Sequence, residues 1–394
     1  MDRQIIAILK ADMSKDLGWN DNDYGSLAAW FQFAAAIAFL ITGWLVDKLG
    51  VKRGNVIGVA AWSLAAMAHG WAVTMGHFIA CRVALGATEA MGTPLTIKTV
   101  ATVFPADKRS FAFGLSTLIG AIGLIGMPFL IPWMASHMGW RGAFIAAGAS
   151  GFLIIAAWVA VLRGVTIDHS AADDARDVAD DDKDYGPILT ERRTWAIAIA
   201  KTLSDATWWL LLYWLPDFYG RNFGLKGAEL ALPLAIAYCG SGGGAFFAGW
   251  ISTKLLEKGW SVNRVRKTVM LVSALIVFPV PIVLQINSFW PVALMMAAVL
   301  AGHQGFSLSL FSIITDVVPR TKVGRVTAFG AFAGNLGGMA IAKIAGLVLV
   351  AGLGYTPLFI FAGMSYLLAL GWLHLLMPVI RRVPGAGGAV ALAH

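Results

Sequence analysis

The chain has 394 residues, of which 58% are hydrophobic and only 13% are charged, and its mean hydropathy is +0.72. Soluble domains carry about 25% charged residues, so this composition excludes a soluble protein and indicates one embedded in a membrane. The formal net charge of +8 fits basic loops beside anionic lipid headgroups, and we expect no nucleic-acid partner. The two cysteines, Cys81 and Cys239, lie far apart in apolar segments, so we expect neither a disulfide framework nor a metal site.

Apolar runs of helical length recur along the whole chain. Each is long enough for the ~20 residues with which a helix crosses the hydrocarbon of a bilayer. Eleven full spans are predicted, at residues 24–46, 55–75, 78–98, 110–134, 141–162, 194–219, 228–252, 267–286, 289–315, 326–352 and 355–379. The opening residues, MDRQIIAILKADM, have the pattern of the second half of one more helix. We therefore expect twelve spans, the first of them truncated in the sequence as it stands.

The loops between these spans alternate in charge. HGWAVTMGH and QINSFW contain no Lys or Arg. The alternate connections carry Lys48, Lys52, Arg53, Lys108, Arg109, Lys254, Lys258, Arg264, Arg266, Lys267, Arg320, Lys322 and Arg325. Basic loops stay in the cytoplasm, so the pattern predicts a multi-pass protein of the bacterial inner membrane with both termini cytoplasmic.

An acidic run, DHSAADDARDVADDDKDYG, separates the sixth span from the seventh. Its low hydrophobicity cannot support a packed core, which is typical of a linker. The predicted organisation is an N-terminal transmembrane half (1–162, helices 1–6), a cytoplasmic acidic linker (163–193), a C-terminal transmembrane half (194–380, helices 7–12) and a cytoplasmic tail (381–394).

The two halves carry related loops. GWLVDKLGVKRG follows the second span and GWISTKLLEKGWSVNRVRK follows the eighth, and six-helix repeats of this kind are typical of carriers that rock around a central site. The first loop resembles the signature of the major facilitator superfamily, G-x-x-x-D-[RK]-x-G-x-[RK]-[RK]. This resemblance implies an all-α membrane protein with the major facilitator fold.

The signature positions predict a conformational latch. They are Gly43, Asp47, Lys48, Gly50, Lys52 and Arg53. Asp47 at a helix end can pair with basic groups and with a neighbouring helix terminus, which would hold one conformation. The alternative is a basic turn that only fixes topology. The second loop has Thr253 at the carboxylate position, so we expect a weaker latch there.

Charged residues also fall inside the predicted spans. Arg82 and Glu89 are seven residues apart, about 700° and ~10.5 Å along a helix, so both project to nearly the same face. Exposing either charge to lipid costs at least ~2.5 kcal/mol, so this face looks inward. Asp2 and Arg3 form a second such pair. An arginine can hold a substrate carboxylate while a buried carboxylate exchanges a proton, unless these pairs are only structural salt bridges.

Five segments carry a narrower resemblance. DRQ, RVALGATEA, PLTIKTVATVFPADKRSFAFG, AKTLSDATWWLLLYWLPDF and GHQGFSLSLFSIITDVVPR resemble the anion:cation symporter family, above all its bacterial hexuronate and sugar-acid permeases. The resemblance implies proton-driven uptake of an organic anion. It also implies Arg3 as the carboxylate ligand, Asp2 and Glu89 as protonation sites, and Arg82 as the partner of Glu89.

Further candidates lie in the later helices. Lys201 and Asp205 form an i,i+4 pair in helix seven, predicted either as a salt bridge beside an aromatic cluster or as part of a gate. The remaining predicted substrate-binding side chains are Gln32, Thr93, His303, Gln304, Ser307 and Asn335.

Several positions depart from the sugar-acid members of the family. Ala35 stands where a tyrosine is expected, and Gly92, Thr117 and Ser309 stand where asparagine is common. A site for a polyhydroxylated acid needs a partner for each hydroxyl. A bulkier or aromatic carboxylate therefore competes with a hexuronate as the expected substrate.

The sequence also bears on two other functional classes, an enzyme and a channel. The usual spacings of a nucleophile, a base or a metal cluster do not occur, so we expect no enzyme and no cofactor beyond the proton as coupling ion. We expect a monomer in the lipid bilayer with a small carboxylate as its substrate. An anion channel or non-coupled facilitator is the alternative from another class, although the two-fold repeat favours alternating access.

Overall fold

The computed structural model describes residues 2–105, 108–163 and 185–381, and every regular element in these ranges is helical. Residues 164–184 of the predicted linker and residues 382–394 of the predicted tail lie outside them. The α-helices are α1 (Asp2–Ile8), α2 (Lys10–Leu17), α3 (Asp21–Ala68), α4 (Met75–Glu89), α5 (Gly92–Val103), α6 (Arg109–Val161), α7 (Gly186–Leu189), α8 (Arg192–Phe223), α9 (Ala231–Glu257), α10 (Val262–Val277), α11 (Phe289–Val317), α12 (Arg320–Val350) and α13 (Thr356–Leu376).

The described ranges contain twelve membrane-length or near-membrane-length segments. Seven stretches are long and apolar enough to cross a bilayer. Two of these, α3 and α6, turn at an internal glycine and so supply two arms each. The segments α1–α2, α4–α5 and α8, which carry charged residues, complete the set. The predicted all-α fold is therefore confirmed, and the twelve helical segments agree with the twelve spans expected from the sequence.

A left-handed glycine marks four equivalent turns. Gly50, Gly139, Gly259 and Gly352 have φ values of 71°, 71°, 77° and 76°, and each lies where the second helix of a three-helix unit turns into the third. At Gly50 the ψ of 171° places the residue in a region that is essentially restricted to glycine. Each half is thus built from two three-helix units whose turns lie at opposite ends of the bundle, an arrangement typical of inverted repeats.

The fourth span differs from the single apolar run of the sequence. It consists of α4 and α5 with a break at Ala90–Met91. Pro94 explains the break, because it has no N–H to donate to the carbonyl of Ala90 and its ring crowds that carbonyl. The break makes Glu89 the last residue of α4.

Large apolar side chains lie both in the interior of the bundle and on its outer surface. Trp214, Tyr24, Tyr213 and Tyr219 are among the largest fully buried side chains. Exposed large apolar side chains are spread over the outer faces of the helices, for example Trp30, Phe111, Leu153, Phe246 and Leu375. A soluble protein does not expose apolar area on this scale, so these faces are in contact with lipid.

The halves meet along three helix pairs. The N-terminal half (α1–α6) contacts the C-terminal half (α8–α13) through α3 with α12, α6 with α9, and α1 with α8. We call the end of the bundle with residues 17–21, 223–231 and 350–356 the Lys10 end, and the end with residues 103–105, 108–109 and 257–262 the Asp47 end. The candidate site lies between them.

Candidate functional site

An ion pair between α1 and α4 lies where the two halves meet. Arg3 Nε donates to Glu89 Oε1 at 2.9 Å, and the two side chains remain 27% and 22% exposed. The Arg3 guanidinium carbon lies 5.2 Å from the ring centroids of both Phe31 and Trp209. Phe31 belongs to α3 and Trp209 to α8, so both halves stabilise this cation through their aromatic faces.

This contact involves only one of the two carboxylate oxygens of Glu89. Its second oxygen, Oε2, is buried and has no hydrogen-bond partner among the described residues. A buried carboxylate oxygen without a donor is unfavourable, so this oxygen is suited to take a proton or to accept from a ligand.

The structure pairs Glu89 with Arg3, whereas the resemblance implied Arg82 as its partner. Arg82 is fully buried, and it lies two turns before Glu89 on the same helix. The rise between them is about 10.5 Å, whereas α1 brings Arg3 directly beside the end of α4. Asp2 belongs to α1, but its side chain lies outside the described part of the structure.

Gln32 lies at the crossing of the halves. It is completely buried, and its Nε2 is 3.4 Å from the hydroxyl of Tyr213 on α8. Its Oε1 has no partner among the residues that the structure describes. Tyr24, about two turns before Gln32 on α3, donates to the Tyr213 carbonyl at 2.7 Å.

His303 on α11 is held in one orientation. Its Nδ1 lies 2.8 Å from the hydroxyl of Tyr366, which is itself 3.0 Å from the carbonyl of Ser204. The single hydroxyl proton goes to the carbonyl, so we assign the His303 proton to Nδ1 and leave Nε2 as an acceptor. The ring stacks on Trp208 with centroids 5.0 Å apart.

Lys201 and Asp205 form the predicted ion pair along α8. Their charged atoms are 2.9 Å apart, with the lysine side chain 6% and the aspartate side chain 16% exposed. The ammonium also lies 4.6 Å from the ring centroid of Phe311. The cation is therefore the deeper member and the carboxylate the more accessible one.

The other predicted ligands either bond within the C-terminal half or have no hydrogen-bond partner among the described residues. Gln304 Nε2 donates to Ser241 at 2.9 Å, and Asn335 Nδ2 donates to the Ala331 carbonyl of its own helix at 2.8 Å. Ser307 is buried, whereas Thr93 is exposed on α5. The structure thus gathers Arg3 and Glu89 at one point and places Lys201, Asp205 and His303 around α8 and α11.

The predicted latch has a definite partner. Asp47 Oδ1 lies 2.7 Å from Lys98 Nζ, which joins α3 to α5 within the N-terminal half. Asn55 supports the same crossing through Thr99 Oγ1 at 3.1 Å. Lys98 was not singled out from the sequence, although a lysine inside the apolar run PLTIKTVATV was a signal for it.

The other signature residues lie around this turn. Gly50 makes the turn itself, Lys48 lies over the ring of Trp44 with 5.3 Å to its centroid, and Lys52 and Arg53 are exposed. Gly43 lies exposed one turn before Asp47.

The C-terminal half uses different residues at its Asp47 end. Thr253 donates to the Gly249 carbonyl of its own helix and makes no other side-chain hydrogen bond within the described ranges. Arg266 instead pairs with Asp316 at 3.0 Å, and Lys322 pairs with Glu191 at 2.7 Å. Burial opposes ionisation of Glu191, but Lys322 and Arg193 hold the pKa of this carboxyl below its usual value. The Arg266–Asp316 pair lies within the C-terminal half, and the Lys322–Glu191 pair joins that half to the end of the linker.

The Lys10 end is closed by ion pairs that cross between the halves. Lys10 Nζ lies 2.6 Å from Asp21 and 2.5 Å from Asp217, and Arg221 pairs with both Asp21 and Asp217, at 2.5 and 2.7 Å. Tyr355 donates to the second oxygen of Asp217 at 2.5 Å. We call these five residues the Lys10 cluster. No local sequence pattern predicts this cluster, because its members are far apart in the chain.

A further contact reinforces the closure. Lys343 on α12 donates to Asn22 Oδ1 at 2.5 Å and to Ser26 Oγ at 2.7 Å. The two halves are therefore joined at the Lys10 end by at least three cations.

A two-half helical bundle with inverted three-helix units and charged groups between the halves defines a membrane carrier. The Major Facilitator Superfamily profile matches residues 1–260, and the chain belongs to this family. It is thus a multi-pass membrane transporter and not an enzyme.

Individual relatives agree with this assignment. The chain is 23% identical to the D-galactonate transporter of Escherichia coli O6:H1, over 94% of this chain and 92% of that protein. It is 26% identical to the hexuronate transporter of Escherichia coli K12, over 91% and 85%. The inward-open xylose transporter of Escherichia coli superposes with a TM-score of 0.72 at 12% identity, covering 96% of this chain and 92% of that one. The resemblance to sugar-acid permeases noted from the sequence is confirmed.

Proposed function

We propose that this protein is a proton-coupled symporter that imports an organic anion, a hexuronate or a related sugar acid, by alternating access. The relatives named above are transporters of a hexuronate and of D-galactonate. The observation that carries the proposal is the Arg3–Glu89 pair between the halves, with one carboxylate oxygen unpartnered among the described residues.

The pair links proton binding to substrate binding. Without substrate, the carboxylate of Glu89 is paired with the guanidinium of Arg3. A substrate carboxylate competes for the same guanidinium, which can hold it through two parallel hydrogen bonds. Protonation of Glu89 removes its charge and frees Arg3, so the proton and the anion favour each other's binding. A monoanion and a proton then cross together without adding net charge to the site.

The closed Lys10 end indicates which state is present. The positive-inside rule places this end on the outer side of the membrane. The protein is then closed toward the outside, and access to Arg3 is from the Asp47 end. Import requires the Lys10 cluster to open, so its cross-half contacts must exchange with each cycle.

The remaining assignments follow from this frame. Asp2 is a second proton site, and Arg82, Gln32, Thr93, His303, Gln304, Ser307 and Asn335 line the path or the binding site. The Asp47–Lys98 pair is a latch at the cytoplasmic side. Residues 1–162 and 194–380 move as the two halves around the linker at 163–193, with residues 381–394 as a cytoplasmic tail, in a monomer in the bacterial inner membrane.

An aromatic carboxylate is the second candidate substrate. It is favoured by the rings of Phe31 and Trp209 on either side of Arg3. It is also favoured by Ser309 and Thr117, whose hydroxyls bond to carbonyls of their own helices.

Uptake by proteoliposomes tests the proposal. With an inward proton gradient we expect the full-length protein to accumulate D-glucuronate or D-galactonate, and a protonophore to abolish the accumulation. Glu89→Gln should lose gradient-driven accumulation but retain exchange of internal for external substrate. Glu257→Gln, which removes an exposed carboxylate paired with Lys254, is the matched control. Accumulation by Glu89→Gln, or uptake that ignores the gradient, would contradict proton coupling.

A further inference from the structure

The Lys201–Asp205 pair belongs to a stripe on α8. Lys201, Asp205 and Trp209 recur every four residues and therefore share a helix face. Gly330, Gly334 and Gly338 form the facing stripe on α12. A Cβ at Gly334 would overlap Asp205 Oδ2, and one at Gly338 would overlap the ring of Trp209. The glycines thus leave room for these three side chains between two closely packed helices.

The stripe connects with the central ion pair through Trp209. Trp209 contacts α12 on one side, and on the other the Arg3 guanidinium carbon lies 5.2 Å from its ring centroid. Asp205 lies one turn away on the same face, about 6 Å along the helix axis. A ligand whose carboxylate is held by Arg3 can therefore extend along α8 toward Asp205.

Two hydrogen-bond acceptors lie in this direction. Asp205 is the more exposed member of its ion pair, and among the described residues its Oδ1 is approached only by Ser204 Oγ, at a long 3.4 Å. His303 stacks on Trp208 and is joined through Tyr366 to the carbonyl of Ser204, the residue before Asp205. Its Nε2 is an acceptor because Nδ1 donates to Tyr366.

The charge arrangement fixes the chemistry of the group that fits. Lys201 balances the charge of Asp205 from the buried side and lies against Phe311, so it does not present its ammonium to a ligand. The accessible groups are acceptors, and buried acceptors need donors. Ligand hydroxyls supply such donors, whereas an aromatic ring supplies none and would leave both acceptors desolvated.

We propose that Asp205 and His303 form a hydroxyl-recognition subsite of the C-terminal half, which selects a polyhydroxylated acid over an aromatic or unsubstituted one. This inference rests on the proposed transport of an organic anion through Arg3. It assigns Lys201 and Asp205 to substrate recognition, where the sequence left a structural salt bridge or a gate.

Equilibrium binding to the purified full-length protein tests this subsite. The probes are D-galactonate, hexanoate, phenylacetate and 6-aminohexanoate, which share a carboxylate and differ in what lies beyond it. We expect D-galactonate to bind at least about 10-fold more tightly than hexanoate or phenylacetate, since hydrogen bonds to charged groups separate such ligands by this factor or more. Asp205→Asn should weaken D-galactonate about 10- to 100-fold and leave hexanoate within about twofold.

Two further variants keep the test decisive. Lys201→Gln combined with Asp205→Asn removes both charges at once. The double variant therefore has no unpaired buried lysine, which could unfold the single variant Asp205→Asn. It should show the same selective loss of affinity for D-galactonate. Glu257→Gln should change no affinity.

The contradicting outcomes are distinct. Equal loss of all four ligands would mean that Asp205 is only structural, and tighter binding of phenylacetate than of D-galactonate by the wild type would overturn hydroxyl recognition. Preferred binding of 6-aminohexanoate would make this an ammonium site. If the folded protein binds none of the acids, the proposed organic-anion transport fails together with the subsite.

Discussion

The central ion pair and the Lys10 cluster both join cations to carboxylates between helices, but they differ in how completely the carboxylates are paired. Glu89 uses one oxygen on Arg3, and both side chains are about a quarter exposed. Asp217 uses both oxygens, on Lys10, Arg221 and Tyr355, and Lys10 also lies 4.5 Å from the ring centroid of Trp214. A saturated network holds two bodies together, whereas an unsaturated pair can exchange its partner for a ligand.

Removing the central cation should have the largest effect. Arg3→Ala takes away the only group we assign to the substrate carboxylate, so we expect binding to weaken about 100-fold and uptake to fall to background. Arg3→Lys keeps the charge without the planar fork and should recover part of the affinity. Equilibrium binding of D-galactonate measures both. Unchanged affinity in Arg3→Ala would remove Arg3 from the site.

Breaking the Lys10 cluster should act on conformation instead of on binding chemistry. Lys10→Met leaves Arg221 as the one remaining cation of the cluster for both Asp21 and Asp217, which should destabilise the closed end by about 1–3 kcal/mol. Spin labels placed at Asp12 and Lys226, both exposed at this end, should then show a longer distance population. Lys15→Met, an exposed lysine on the same helix, is the control. An unchanged distance distribution would show that the cluster does not hold this end closed.

The latch should have a smaller effect, because Asp47 is 55% exposed and Lys98 20% exposed. Exposed pairs contribute at most about 1 kcal/mol, so Asp47→Asn should slow uptake by no more than about fivefold without changing equilibrium affinity. Lys98→Gln should have the same effect, and the double variant should be no slower than either single one. Additive losses would mean that the two residues do not act as a pair.

An exposed pair at the Lys10 end should matter least. Arg141 and Trp140 donate to Asp16, and these hydrogen bonds hold the pKa of this carboxyl below its usual value. A lowered pKa means that the contact is complete above the unfolded value of about 3.9 and is lost only as pH falls below it. The difference in melting temperature between the wild type and Asp16→Asn should therefore stay constant from about pH 5 to 8 and shrink in stronger acid. A changed pH dependence of uptake in this variant would place a coupling group outside the centre.

The sequence was sufficient for the architecture because hydrophobic length and loop charge are local signals. The spans, the two halves and the signature turn at Gly50 all follow from short stretches of chain. The inward position of Arg3 and Glu89 also followed, since charges in apolar helices avoid lipid.

Partner choice could not be predicted in the same way. Glu89 meets Arg3 because Pro94 breaks the fourth span and α1 packs beside the break. Lys98 meets Asp47 because α5 crosses α3, and Lys10 meets Asp217 across 207 positions of sequence. Such pairs depend on helix crossings, which the order of residues along one helix does not contain.

The pairing within the Lys10 cluster has an electrical consequence. Lys10 and Asp21 belong to one half and lie 2.6 Å apart, while Asp217 and Arg221 belong to the other and lie 2.7 Å apart. When the halves separate, each keeps one cation with one anion, so these four residues carry no net charge on either moving body. The membrane potential, which acts at about 2.3 kcal/mol per elementary charge and 100 mV, then exerts no net force on either body through these four residues. At this end of the bundle its direct influence would enter through Lys343, whose partners are the uncharged Asn22 and Ser26.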